Sequence, residues 1–283
     1  MSQTNAAASS DGVIALLEKE IEDRSIEMPL LPDVAAEVLA STLDDKSNAT
    51  RLADLIQRDQ SLASHLLRIV NSPAFRGSTE IVALQQALAR LGMERIREIA
   101  LSVSLQGTLF QKGPYDEILD VAWQHGLRTA LWSKEVARQA RKNVEVAYLC
   151  GLLHNVGVPL VIGRLSKFEA TFTADEIAKI TQALDMAAGI TLVEEWRLPS
   201  SVAMTIRFIN DFASAKNAQD LVAIVAAGAA FAQLHTEEDF DVELAVEELL
   251  PLEHVQHLNF YPDDVEQLAD RAEQIEQTVQ GMK

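Results

Sequence analysis

Two histidines in this chain could begin a metal site. His125 stands in WQHGLRTALWSKEVA (123–137) and His154 in GLLHNVG (151–157). Neutral imidazole is a good ligand for transition metals. Metal-assisted hydrolysis also needs carboxylates to supply negative charge and an open coordination position for activated water. The residue after His154 is Asn155, an amide where a carboxylate would complete a metal-binding doublet. From the two histidines alone, the plainer reading is a pair of buried imidazoles hydrogen-bonded to backbone. His254 and His257, three apart in a Pro-flanked acidic stretch, read as a surface pair with no carboxylate on their face. His65 reads as structural, and His235 closes an Ala-rich helix, where a cation is mildly favourable. Cys150 sits in an apolar segment and reads as a small buried hydrophobe. The chain carries no Gly-rich phosphate loop, nucleophile elbow or Cys/His dyad of recognisable context.

Helical spacing places the two histidines. Over about 116–141, Ile118, Ala122, His125, Thr129, Trp132 and Val136 form one stripe. On the next helix Ala147, Cys150, His154 and Val158 share a face. Both histidines therefore point inward from consecutive helices and are expected to meet. Further helices are expected on either side. Asp11 is the expected N-cap of a first helix carrying Val13, Ile14, Leu17 and Ile21. Pro29 and Pro32 mark a turn before a helix over 33–43. Residues 47–75 read as two helices joined near 59–61, and Pro73 ends the second. Helices over about 81–91 and 94–109 are separated at Gly92. The alternation of a strand is absent, so the chain is expected to be all-α, with about a dozen helices and short connections.

Composition narrows the function. Hydrophobic residues make up 48% of 283, enough for a substantial core and too many for a disordered chain. A single cysteine cannot form a disulfide within the chain, which fits a reducing compartment. The start MSQTNAAASSDG lacks the basic and apolar regions of a signal peptide. The window 221–234 is apolar but too short and Ala-rich to cross a bilayer. The expectation is a cytoplasmic protein with no membrane partner. A net charge of −18 disfavours nucleic acid, whose phosphates require a basic surface. Much of the excess lies at the C-terminus, where residues 237–283 hold fourteen acids against two bases. That end reads as amphipathic helices with a solvated acidic face.

Taken together, MPLLPDVAAEVL (28–39), LADLIQRDQSLASHLLRIVNSPAF (52–75), ALARLGMERIREIAL (87–101) and GLLHNVG (151–157) resemble an HDOD domain. This is a divergent relative of the HD and HD-GYP metal-dependent phosphohydrolases. The resemblance runs from about residue 26 to 225. It implies an all-α, HD-like multi-helix bundle with an N-terminal helical subdomain, and a cytoplasmic bacterial signalling role. The implied organisation is a leader and helix over 1–25, the HDOD domain over 26–225, and an acidic helical extension over 226–283 packed on it.

The superfamily pattern wants a first histidine, a His-Asp doublet and a distant aspartate. His125 and His154 match its histidines, whereas Asn155 replaces the doublet's aspartate. The last ligand is expected within 224–233, at Gly228, and no carboxylate stands in 221–234. Phe208, Ile209 and Asn210 occupy the place of further histidines in metal-rich relatives. His125, His154, Asn155 and Gly228 are thus expected to be vestigial metal positions. No cofactor is expected, and any divalent metal would sit at His125 and His154. The implied function is a non-catalytic signalling or regulatory scaffold that binds a protein partner or small ligand. Asn71, Ser72 and Arg76 form a candidate interaction loop, although Asn71 and Ser72 could equally be capping the helix end. The alternative is a phosphohydrolase acting on nucleotides or cyclic dinucleotides, with carboxylates drawn from elsewhere, such as Glu194 or Asp211.

Overall fold

Short polar residues mark where several of the helices begin. In the computed structural model, which describes residues 9–43, 49–75, 77, 79–236 and 240–282, the first helix, α1 (Ser10–Glu22), is capped by Ser9 and not by Asp11. The Ser9 hydroxyl accepts the Gly12 N–H at 3.3 Å, and Asp11 lies in the first turn beside the dipole. α2 (Asp33–Leu43) and α3 (Ala49–Arg58) follow, then α4 (Gln60–Val70), whose Asp59 cap accepts from Leu62 N–H at 2.9 Å. α5 (Leu84–Leu109) is broken at Gly92, where φ is +78°. Only glycine enters that region without strain, so the expected division at this residue holds.

The central elements are α6 (Asp116–Gln139), α7 (Val144–Leu153), α8 (Gly157–Leu165), α9 (Ala174–Glu195) and α10 (Ser200–Phe208). A 3₁₀ segment (Phe212–Ala218) leads into α11 (Gln219–Leu234). Asn143 caps α7 by accepting from Glu145 and Val146 N–H, each at 3.0 Å. A reciprocal Thr173–Glu176 capping box opens α9. The acidic end folds into α12 (Val242–Leu249), α13 (Glu253–His257), α14 (Pro262–Ala269) and α15 (Ala272–Gly281). Asp264, in the first turn of α14, accepts the Tyr261 N–H at 2.9 Å. The described residues contain no strand. The chain is all-α.

These helices share one hydrophobic core. α6 lies at its centre, packed against α7 and α11, while α8 packs on α9 and α1 crosses α9. Residues α2–α5 form the N-terminal helical subdomain. Its link to the centre includes the buried ion pair of Glu98 with Lys134 and a 2.8 Å hydrogen bond between Ser102 and Tyr148. Trp196 Nε1 donates to the Pro29 carbonyl at 2.8 Å, tying the proline turn to the end of α9. α14 and α15 pack on α6, where Arg128 makes a two-pronged pair with Glu276 at 2.9 and 3.1 Å. The acidic extension is therefore folded against the rest, but the boundary expected at 225/226 falls inside α11. That helix is unbroken because Val222 to Gly228 are buried without interruption. Val144–Leu165, across α7 and α8, is long and apolar enough to pass for a membrane span, yet 67% of its most apolar window is buried inside the bundle. Cys150, within it, is fully buried, and burial pushes its thiol up to about 11, in keeping with a packed hydrophobe.

Candidate functional site

The two histidines do meet. α6 carries His125, and α7 ends at His154, which occupies its C-cap before the turn into α8. Their rings lie edge to face with centroids 5.2 Å apart. His154 Nδ1 lies 2.7 Å from the Gly151 carbonyl oxygen. A carbonyl only accepts, so Nδ1 carries the proton and Nε2 presents a lone pair. Burial holds the His154 imidazole at a pKa of about 3, with the His125 ring adding to the depression and the Gly151 bond opposing it. His125 is also lowered, by burial and then by Arg128. Both rings are neutral at physiological pH.

Asn155 is turned to a different task. Its Nδ2 donates to the Ala122 carbonyl at 3.0 Å, and its Oδ1 lies over Gly126, 3.0 Å from where a Cβ would stand. The amide thus clasps α6 to the α7–α8 turn. Two residues on, Gly157 starts α8 directly against α9, where a Cβ would fall 1.8 Å from the Asp185 carbonyl oxygen. Only glycine fits such an approach, and the contact holds the Asp185 backbone directly against the start of α8.

A cavity of about 990 Å³ opens here. Its floor holds His125, His154 and Asn155, with Ile118, Val121 and Ala122 of α6 beside them. α9 contributes Asp185 and Met186, α10 and the following turn contribute Arg207 and residues 209–212, and α11 contributes Ala226, Ala229 and Ala230. Glu253 and His254 of α13 complete the lining. Burial raises the Asp185 carboxyl, partly offset by the Met186 N–H at 2.6 Å. His254 is lowered by burial against the opposing charge of Glu253, and its Nε2 is buried without a hydrogen-bond partner.

The remaining expected positions separate. Gly228 is not at the cavity: a Cβ there would lie 2.3 Å from Ser133 Oγ and 2.7 Å from Ser133 N. It is a close-packing point between α11 and α6, and the α11 residues that face the histidines are alanines. Asp211 lines the cavity, whereas Glu194 pairs with Arg24 at 2.5 Å and does not. Ile209 and Asn210 line it; Phe208 does not. Asn71 donates to the Leu67 and Ile81 carbonyls and accepts from Ile81 N–H, so it fastens the end of α4 to the next segment. Ser72 Oγ is buried against Gly281 without a partner, and Arg76 lies outside the described residues. His65 lines a separate cavity of about 740 Å³ between α2, α3, α4 and α5. His254 and His257 both abut Phe212, but His257 bonds Asp220 at 3.0 Å while His254 faces the cavity. Asp185, Arg207, Glu253 and the orientation of His254 escaped the sequence reading. Asp185 had a faint signal, a carboxylate beside the buried stripe Leu184, Ala188 and Leu192 of α9.

The HDOD domain model matches residues 28–212. The chain belongs to the HDOD family. Its solved relatives include an HDOD domain protein of unknown function from Geobacter sulfurreducens, 21% identical, with a TM-score of 0.72 over 96% of this chain and 99% of that one. A candidate phosphohydrolase from Shewanella amazonensis SB2B is 20% identical, with a TM-score of 0.69 over 95% and 98% of the two chains. A candidate signal transduction protein from Marinobacter aquaeolei VT8 is 19% identical, with a TM-score of 0.62 over 99% of this chain and 67% of that one. An uncharacterized protein of Treponema pallidum (strain Nichols) is 26% identical over 204 residues, and the aligned part spans 39% of its length. The likeness to the solved structures is one of fold. The HDOD match ends at Phe212, so Glu253 and His254 enter the cavity from outside the matched domain.

Proposed function

We propose that this HDOD protein is a non-catalytic regulatory module whose histidine cavity binds a ligand and whose surface answers to a protein partner. The observation that carries the reading is the engagement of Asn155. Its side chain is committed to the Ala122 carbonyl and presents no anion to a cation at His154. Among the described residues no three His, Cys, Asp or Glu side chains converge as a ligand set. Two neutral imidazoles without a carboxylate do not offset the dehydration of a divalent ion, so this donor set does not fit a hydrolytic metal. The alternative, a phosphohydrolase, draws support from Asp185 and Asp211 lining the same cavity.

The test is metal content together with turnover. The protein, purified as expressed, is expected to hold no stoichiometric iron, manganese or zinc, and to leave a chromogenic phosphodiester intact when these ions are added. Stoichiometric metal with turnover, both lost in His154→Ala, would overturn the regulatory reading.

A further inference from the structure

We propose that the ligand of this cavity is an organic cation, an amine or guanidine on an apolar body; this rests on the cavity being a binding site. The polar lining is one-sided. Asp185, Asp211 and Glu253 bring three carboxylates, against the single guanidinium of Arg207. His154 offers an Nε2 lone pair because its Nδ1 already donates to Gly151. His254 Nε2 is buried and unpartnered. Of the side-chain amides that could serve an anion, Asn155 already gives one of its two N–H groups to Ala122, which leaves its second and the Asn210 amide. A phosphate ester needs several donors and positive charge, and this wall supplies few of either. An ammonium brings three donors and no acceptor, and a guanidinium five, which is the complement of the lining.

Apart from His125 and Asn210, the rest of the wall is apolar. Val121 and Met186, both lining residues, are 68% and 49% exposed, so an apolar body would cover them on binding. A volume of about 990 Å³ is of the size that small ligands occupy. Because Glu253 and His254 come from α13, the preference is a property of this chain and not of the matched domain alone.

The same chemistry could arrive as a free amine or as a lysine or arginine side chain of a partner. Calorimetric titration of the full chain with agmatine and hexylamine, with a lysine-bearing amphipathic peptide, and with inorganic phosphate and a cyclic dinucleotide separates the cases. Agmatine or hexylamine is expected to bind and to weaken by about tenfold or more in Asp185→Asn. It should weaken likewise in Asp211→Asn, at an exposed residue whose replacement leaves the core intact. Glu266→Gln, on the exposed face of α14, should leave the affinity unchanged. Binding of the peptide alone with the same dependence on Asp185 also supports the inference and assigns the cation to a partner. Binding unchanged in both aspartate variants, no binding by any of the cations, or tighter binding of phosphate or the dinucleotide would overturn it. Absence of cation binding without phosphodiester turnover would defeat this inference and leave the regulatory reading standing.

Discussion

Restoring the aspartate of the ancestral doublet, by Asn155→Asp, is expected to damage the protein and not to rebuild a metal site. In the native chain Asn155 Nδ2 lies 3.0 Å from the Ala122 carbonyl oxygen. The substitution puts a carboxylate oxygen there, facing another acceptor. The lost hydrogen bond is worth about 1 kcal/mol net, and leaving the carbonyl opposite an uncompensated charge costs about 1–3 kcal/mol more. A total near 3 kcal/mol lowers the melting temperature by about 6–12 °C for a large domain, with this chain toward the lower end. The deficit carries a pH signature. The fold disfavours the charged carboxyl, so its folded pKa rises above the unfolded value of about 3.9. The full penalty is present above the folded pKa and fades as pH falls below it, where the protonated group can donate to Ala122. Melting of native protein, Asn155→Asp and Asn155→Ala near neutral pH and again near about pH 4 gives the test. The gap to native should narrow in acid for the aspartate variant and stay constant for the alanine variant. An aspartate variant as stable as native at neutral pH, or one that takes up stoichiometric divalent metal, would refute the clasp argument.

Gly228→Ala is expected to lose about 1–3 kcal/mol or more by overpacking, read as a shift in the urea midpoint. A Ser133→Gly second change should not rescue it, because the Ser133 backbone nitrogen is itself only 2.7 Å from the new methyl. The buried His154 imidazole should make stability fall as pH drops. The contribution is full above the unfolded value near 6.5 and is lost toward the folded value of about 3, at up to about 1.4 kcal/mol per pH unit. Urea unfolding of native and His154→Gln protein from neutral to mildly acid pH should show a shallower slope in the variant; equal slopes would contradict a neutral, buried ring.

Much of this architecture was legible in the order of residues. The stripe through His125, Thr129 and Trp132 and the face through Cys150 and His154 sufficed to bring the two imidazoles together, because helical periodicity is local and α6 and α7 are consecutive. Gly92 could be read as a break for the same reason. The first N-cap was misplaced by two residues because Ser9 and Asp11 both suit that role, and only the path of the chain into α1 chooses between them. The placement of Gly228 at the metal site failed differently. Spacing along α11 cannot say which residues of a uniformly apolar helix face α6 and which face a cavity.

Residue order alone thus determined an all-α bundle, a meeting of two histidines, and the absence of a carboxylate beside the second. Tertiary structure decided what fills that place and what surrounds it. It turned Asn155 onto the Ala122 carbonyl, pressed Gly228 against Ser133, and brought Asp185 of α9 and the Glu253–His254 pair of α13 from two distant segments to one wall. Those outcomes depend on how helices cross and how closely their backbones approach, and such distances arise only when the whole core packs at once.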